Sequence, residues 1–217
     1  MPIRAVLLLL LLVPGLVRAA TLVVAVAGDV RLDGTPLAEL VLLQPGAQLR
    51  LASGANVLLA EPDQGRQTRW QGPALLRLEA QGARRVGEGP PPERRPLPQA
   101  LRPALLRTPD NLERIARLDA DLPSRLISAR LKAARQQYQR WRGQSAADDV
   151  TPELYLLDLQ LAARDGLGLQ ATLAEMARRR PDNRRIAQLS AHLVSLDLAM
   201  SPGDAGAQVE IKPIQTP

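Results

Sequence analysis

The chain has 217 residues, 46% of them hydrophobic, with no cysteine, no phenylalanine and a formal net charge of +6 at pH 7. So much apolar matter excludes a disordered polymer, and the length suits one large or two small domains. Aromatics are only 2% and 28 basic residues, all Arg except Lys132 and Lys212, are interspersed with 22 acidic ones; without stacking platforms or a concentrated basic stripe, no nucleic-acid partner is expected.

Residues 1–19 read as a secretory signal peptide. Arg4 gives a positive start, Val6 to Val13 form a compact apolar core, and Pro14-Gly15 breaks it. Val17-Arg18-Ala19 then offers small or compatible residues before a cut after Ala19, with Ala20 the alternative. The apolar run is too short to span a bilayer; an uncleaved anchor is the alternative. No cysteine follows it, which excludes lipoprotein processing. An exported chain without cysteines must cohere by burial alone, which suits a periplasmic or secreted bacterial protein. No second apolar segment of spanning length follows, so the mature chain is expected to be soluble.

Residues 20–86 read as a small all-β domain. Strand-length apolar runs such as Val23–Val26, Val30–Leu32 and Val57–Leu59 are separated by Gly28-Asp29, Asp33-Gly34, Pro45-Gly46, Ser53-Gly54 and Gly72-Pro73. Turn signals at roughly ten-residue spacing predict a meander, sandwich or open barrel. Gln48-Leu49-Arg50-Leu51 and Leu76-Arg77-Leu78-Glu79 alternate, so one face should meet a core and the other water. Asn56–Ala60 is more continuously apolar, as a central strand would be.

Four of these stretches carry a resemblance. Val26-Ala27-Gly28-Asp29-Val30, Leu43 to Leu51, Ser53 to Leu59 and Trp70-Gln71-Gly72-Pro73-Ala74 together resemble the FecR-type domain of bacterial envelope proteins. In that family a G-x-V strand precedes a pGaxlxL strand, a gAxvxL strand, a hairpin and an l-x-G-P turn. The resemblance covers about a third of the chain. It implies a small β domain outside the inner membrane, used for protein contacts. Sigma-regulating FecR proteins place a cytoplasmic segment and a membrane span first; here the export signal begins at residue 1, so transmembrane anti-sigma signalling is not expected.

Residues 87–107 hold Pro90-Pro91-Pro92, Pro96 and Pro98 and read as a Pro-rich linker, extended and semi-rigid, with a ligand for an aromatic groove as the alternative. Residues 108–200 read as an α-helical domain. Leu112, Ile115, Ala116 and Leu118 follow Asp110 as N-cap, and Asp121-Leu122-Pro123 restarts a helix whose face is Ile127, Leu131, Ala134, Tyr138 and Trp141. Thr151-Pro152 caps a helix from Glu153 to Arg164, Asp165-Gly166 turns, Leu167–Arg180 follows, and Pro181-Asp182-Asn183 opens a third helix reaching Met200. The block from Glu153 to Asn183 resembles a tetratricopeptide repeat, with Ala162 and Ala171 allowing close helix packing. Residues 201–217 read as a disordered tail.

Signals for chemistry are sparse. His192, Ser195 and Asp197 lie too close along one helix to converge as a triad must. One histidine and no cysteine supply no metal-ligand spacing, so no metal or cofactor is expected. Asp119 with Asp121 reads as helix punctuation and Asp148-Asp149 as a solvated loop; Gly166-Leu167-Gly168 lacks the strand a phosphate loop needs. Tyr138 and Trp141 are assigned to the core, with an aromatic contact beside Arg135, Arg140 and Arg142 as the alternative, and Trp70 to the core, with a ligand platform as the alternative. The densest basic feature, Arg178, Arg179, Arg180, Arg184 and Arg185, is the candidate contact for an acidic partner or anionic lipid surface.

The expected fold class is α+β: a FecR-like β domain followed by α-helical hairpins. The expected function is a non-enzymatic adaptor or scaffold that binds a protein partner, or a glycan, in the bacterial envelope. The alternatives are a periplasmic regulatory module and a carboxylate-based cell-wall hydrolase, the latter requiring two acids converging in a deep cleft.

Overall fold

The computed structural model describes residues 20–119 and 129–200, with side chains up to residue 196. The expected signal peptide with its cut after Ala19, the expected helix start at Asp121-Leu122-Pro123, Ile127 and the expected disordered tail from Ser201 all fall outside the described residues. The class is α+β, with the strands first and the helices after them.

The strands are β1 (Thr21–Ala27), β2 (Val30–Leu32), β3 (Thr35–Pro36), β4 (Leu42–Leu43) and β5 (Gln48–Leu51). They continue as β6 (Asn56–Glu61), β7 (Arg66–Gln71), β8 (Ala74–Glu79), β9 (Gly82–Val86) and β10 (Glu93–Pro96). They pair antiparallel in two sheets, ordered β10-β7-β6-β1-β4 and β3-β2-β5-β8-β9. The Asp33-Gly34 hairpin has φ of 47° and 90° at its two central residues, the left-handed pair that a tight turn between twisted strands requires. At Gly72 the chain passes so close to β5 that a Cβ would lie 1.9 Å from the Ala52 carbonyl oxygen. Only glycine fits there.

The first sheet is the middle layer of three. One of its faces gives Val23, Val57, Leu59 and Trp70 to a core shared with Leu49, Leu51, Leu76 and Leu78 of the second sheet. Its other face gives Leu22, Val24, Leu58 and Ala60 to a second core shared with the helices. Burial on both faces explains the unbroken apolar character of β6, whereas the alternation of β5 and β8 belongs to a sheet with one face in water.

The helices are α1 (Arg102–Leu106), α2 (Thr108–Ala116), α3 (Ala129–Arg142), α4 (Thr151–Ala163), α5 (Gly166–Arg179) and α6 (Arg184–Met200). Helix α4 is buried almost all round, which makes it the core helix of this layer.

Several expectations are corrected. Residues 87–107 are not a spacer: β10 pairs with β7 from Glu93↔Arg69 to Pro96↔Arg66, and Leu97, Leu101 and Leu105 are buried against the first sheet and α4. The prolines allow this because Pro96 ends an edge strand and Pro103 sits in the first turn of α1, where no N–H is needed. Asp110 lies in the first turn of α2, not at its cap. The N-cap of α4 is Val150, with no side-chain cap, so Thr151 lies inside the helix; Asp149, one residue earlier, accepts from the Thr151 N–H with Oδ1 at 2.9 Å. Between α4 and α5 the left-handed residue is Arg164, φ 57°, and Asp165 caps α5 by accepting from Gly168 N–H at 3.0 Å. Ala162 and Ala171 are exposed. The close approach is at Gly168, where a Cβ would lie 2.1 Å from Asp165 Oδ2 and 2.8 Å from Gln160 Nε2.

Ion pairs join the layers. Arg69 on β7 donates to both Asp148 oxygens at 2.8 Å, and Arg107 before α2 donates to both Asp158 oxygens at 2.9 and 2.7 Å. The hydrogen bond from Arg69 holds the Asp148 carboxyl below its ordinary range. Burial pushes the Asp158 carboxyl up, but Arg107 and Asn111 more than offset it, so it too lies low. A carboxyl lowered by folding stabilises above its unfolded pKa and loses that contribution as pH falls through the folded value. Thermal melts should therefore decline as pH drops below about 4, and Asp148→Asn should flatten part of the decline. An equal decline in the variant would show that this pair contributes nothing.

Candidate functional site

The residues singled out for chemistry are held apart or committed elsewhere. His192 Nε2 donates to the Leu118 carbonyl at 2.9 Å, and Ser195 Oγ donates to the carbonyl of His192 itself at 2.7 Å; the Asp197 side chain lies outside the described residues. Asp148 and Asp149 are not a solvated loop, since one pairs with Arg69 and the other is buried beside Gln67 and Thr151. Gly166 to Gly168 open α5. Trp70 is in the inter-sheet core, its ring N–H donating to Thr68 Oγ1 at 3.2 Å. Trp141 meets Tyr155 edge-on at 5.0 Å. Among the described residues no group of three or more His, Asp or Glu is placed to hold a metal ion, and no helix is long and apolar enough to cross a membrane.

The arginine cluster divides. Arg179 turns inward to Glu153 at 3.4 Å and Glu175 at 2.6 Å. Arg180, its side chain 12% exposed, donates to Glu39 and to the Val26 carbonyl at 2.8 Å. Glu39 also accepts from Val26 N–H and from Asn183 Nδ2, so Arg180 locks the end of α5 onto β1. Neither arginine is available to a partner, because the C-terminus of α5 abuts the first sheet. Arg178 pairs with Glu175 at the surface, and Arg184 and Arg185 carry no ion pair among the described residues.

Glu153 is the centre of a buried network. Its side chain is 0% exposed and receives Arg142 at 3.0 Å, Arg179 at 3.4 Å and the Tyr138 hydroxyl at 3.1 Å. Burial raises the carboxyl's pKa, with Arg142 opposing it. Burial first, then the Glu153 charge, pushes Tyr138 up to about 12. A perturbed carboxyl in a cleft is a candidate acid or base. This one is surrounded by its own partners, and its evident work is to bind α3, α4 and α5 together.

The surface beside this network is a groove of about 450 Å³ between α3, α4 and α5. Leu156 and Gly168 form its floor, and Leu167, 62% exposed, stands on its edge beside Ala171. On α5 the buried stripe is Leu169, Thr172, Leu173 and Met176; Leu167 and Ala171 lie off that stripe. Apolar residues outside the core-facing stripe were the available sequence signal for the groove. The flanking charges are already paired, Arg135 with Asp165 at 3.0 Å and Arg178 with Glu175. Tyr138 donates to Glu153 and Thr172 Oγ1 donates to Gln160 Oε1 at 2.8 Å, so what the groove presents is Leu156, Leu167, Ala171 and the amide of Gln139, a surface that suits an amphipathic segment.

No protein-family model matches the chain, and neither a curated protein nor a solved structure matches it.

Proposed function

We propose that the chain is an exported, non-enzymatic adaptor of the bacterial envelope, which seats an amphipathic segment of a partner protein in the groove between α3 and the α4–α5 hairpin. The observation that carries this reading is Leu167, an exposed leucine beside an apolar floor whose charged flanks are neutralised internally. A groove so lined rewards burial of a leucine-sized side chain, worth about 1.5–3 kcal/mol. The apolar core at residues 6–13 supports export, and the resemblance of Val26–Val30, Leu43–Leu51 and Trp70–Ala74 to FecR-type domains supports an envelope role.

The test is photo-crosslinking in cells from a benzoylphenylalanine placed at Ala171. The expected result is a discrete adduct with one envelope protein, lost when Leu167→Glu is added, from a chain that lacks residues 1–19. Recovery from the cytosol with residues 1–19 intact would overturn the export reading. Turnover of cell-wall material that vanishes when one carboxylate is neutralised would overturn the non-enzymatic one.

A further inference from the structure

The outward face of the second sheet carries an arrangement that the fold does not need. Strand pairing sets Arg31 directly opposite Arg50, and Arg77 directly opposite Arg84. All four are exposed. Like charges facing each other across a sheet are destabilising. Two are partly compensated, Arg31 by Asp29 at 3.1 Å and Arg84 by Glu79 at 3.8 Å. Arg50 and Arg77 make no hydrogen bond or ion pair with any described residue. They are diagonal neighbours on β5 and β8, about 7–8 Å apart, and Leu75 lies opposite Arg50 on the same face as Arg77. Leu75 in turn faces Val86, which is 49% exposed.

Shape and charge together select the occupant. A cavity of about 930 Å³ lies over Arg31, Arg50, Leu75 and Val86, and Arg77 stands exposed on the open sheet face beside it, so a flat bilayer reaches Arg77 but not the cavity floor. Among the described residues no aromatic ring lines it to stack a base, and Asp29, Asp33 and Glu88 stand among Arg31, Arg50 and Arg85, a mixed lining that does not favour a chain charged at every unit. The face is complementary to sparse carboxylates beside apolar side chains. We propose that it docks an extended acidic peptide segment of a partner protein, with carboxylates on Arg50 and Arg77 and an apolar side chain on Leu75 and Val86. Each guanidinium presents paired donors that match a carboxylate. From β2 to β9 the row crosses three strand spacings of ~4.8 Å, or about 14 Å, which roughly four extended residues span. This surface and the helical groove lie on different layers, so either stands without the other.

The experiment measures fluorescence anisotropy of a fluorescein-labelled Glu-Ser-Glu-Ser-Leu-Ser-Leu peptide, whose carboxylates and leucines share one side when extended, with the purified full chain, against Gln-Ser-Gln-Ser-Leu-Ser-Leu as neutral control. The acidic peptide should bind, more weakly as salt rises, and the neutral one should not. Arg50→Glu with Arg77→Glu should weaken binding at least about tenfold, the loss of one charge-assisted contact or more. Arg184→Glu with Arg185→Glu should leave it within about twofold. Arg50→Glu turns a like-charge pair with Arg31 into an opposite one, so the melting temperature should hold or rise, and misfolding cannot imitate the loss. The proposal is overturned if the wild-type chain ignores the acidic peptide, binds the neutral one equally, or binds undiminished after the double substitution. Recruitment to phosphatidylglycerol vesicles through these arginines, without peptide binding, would overturn it in favour of a headgroup surface.

Discussion

Leu105→Ala is expected to lower the stability of the whole molecule by about 3 kcal/mol, read as a shift of the urea midpoint at unchanged slope. Leu105 is fully buried in the core shared by the helices and the first sheet, beside Leu101 and among residues of α4. Removing its isobutyl group forfeits transfer free energy and leaves a void that a sheet and two helices cannot both close. Against the 5–15 kcal/mol typical of a domain, that is a large fraction. A residue in a true spacer would cost under about 0.5 kcal/mol, so the experiment separates a packed junction from a linker. Because one core spans both parts, fluorescence of Trp70, read in a Trp141→Phe background, and far-UV dichroism of the helices should change together. Two separate transitions, or a negligible midpoint shift, would show that the layers do not share a core.

Glu153→Ala should cost a similar amount, about 3 kcal/mol. Breaking a buried ion pair by removing one partner is strongly destabilising because the other charge stays in the interior. Here the cost falls toward the low end of that range, since Arg142 retains the Asp149 and Ala146 carbonyls and Arg179 retains Glu175. Glu153→Gln should cost less than Glu153→Ala, because an amide fills the same space and still accepts from Tyr138. The pH dependence tests the carboxyl itself, which either substitution removes. A carboxyl whose pKa is raised by folding binds its proton more tightly in the folded state. Its effect is therefore to lower stability as pH rises from the ordinary carboxylate value through the folded one. The wild-type chain should show that contribution in denaturant titrations, and Glu153→Gln should lack it. If Gln and Ala are equally damaging, the carboxylate charge itself holds the three helices and the burial argument fails.

The arginine cluster shows why the candidate partner contact was only partly legible. Five arginines between positions 178 and 185 look alike in the sequence, and a helix C-terminus is where exposed cations belong. Arg180 and Glu39 are 141 residues apart and Arg179 and Glu153 are on different helices, so no local pattern announces either pair. The helical groove left a trace, Leu167 and Ala171 off the buried stripe of α5, but its depth depends on where α3 crosses the hairpin. The paired arginines across the second sheet were equally hidden, because register is needed before any two residues can be called opposite.

Local physical chemistry, read along the chain, determined the class, the strand-rich first half, the turn at Asp33-Gly34, the one-sided exposure of β5 and β8, and the approximate extents of α4, α5 and α6. These follow from φ preferences, side-chain periodicity and capping, which act over a few residues. Only the tertiary structure decided that the first sheet is covered on both faces, that residues 93–105 are a strand and a helix rather than a spacer, and which arginines look outward. An apolar face can be read from one strand, but what lies against it is set by partners brought close only when the chain folds.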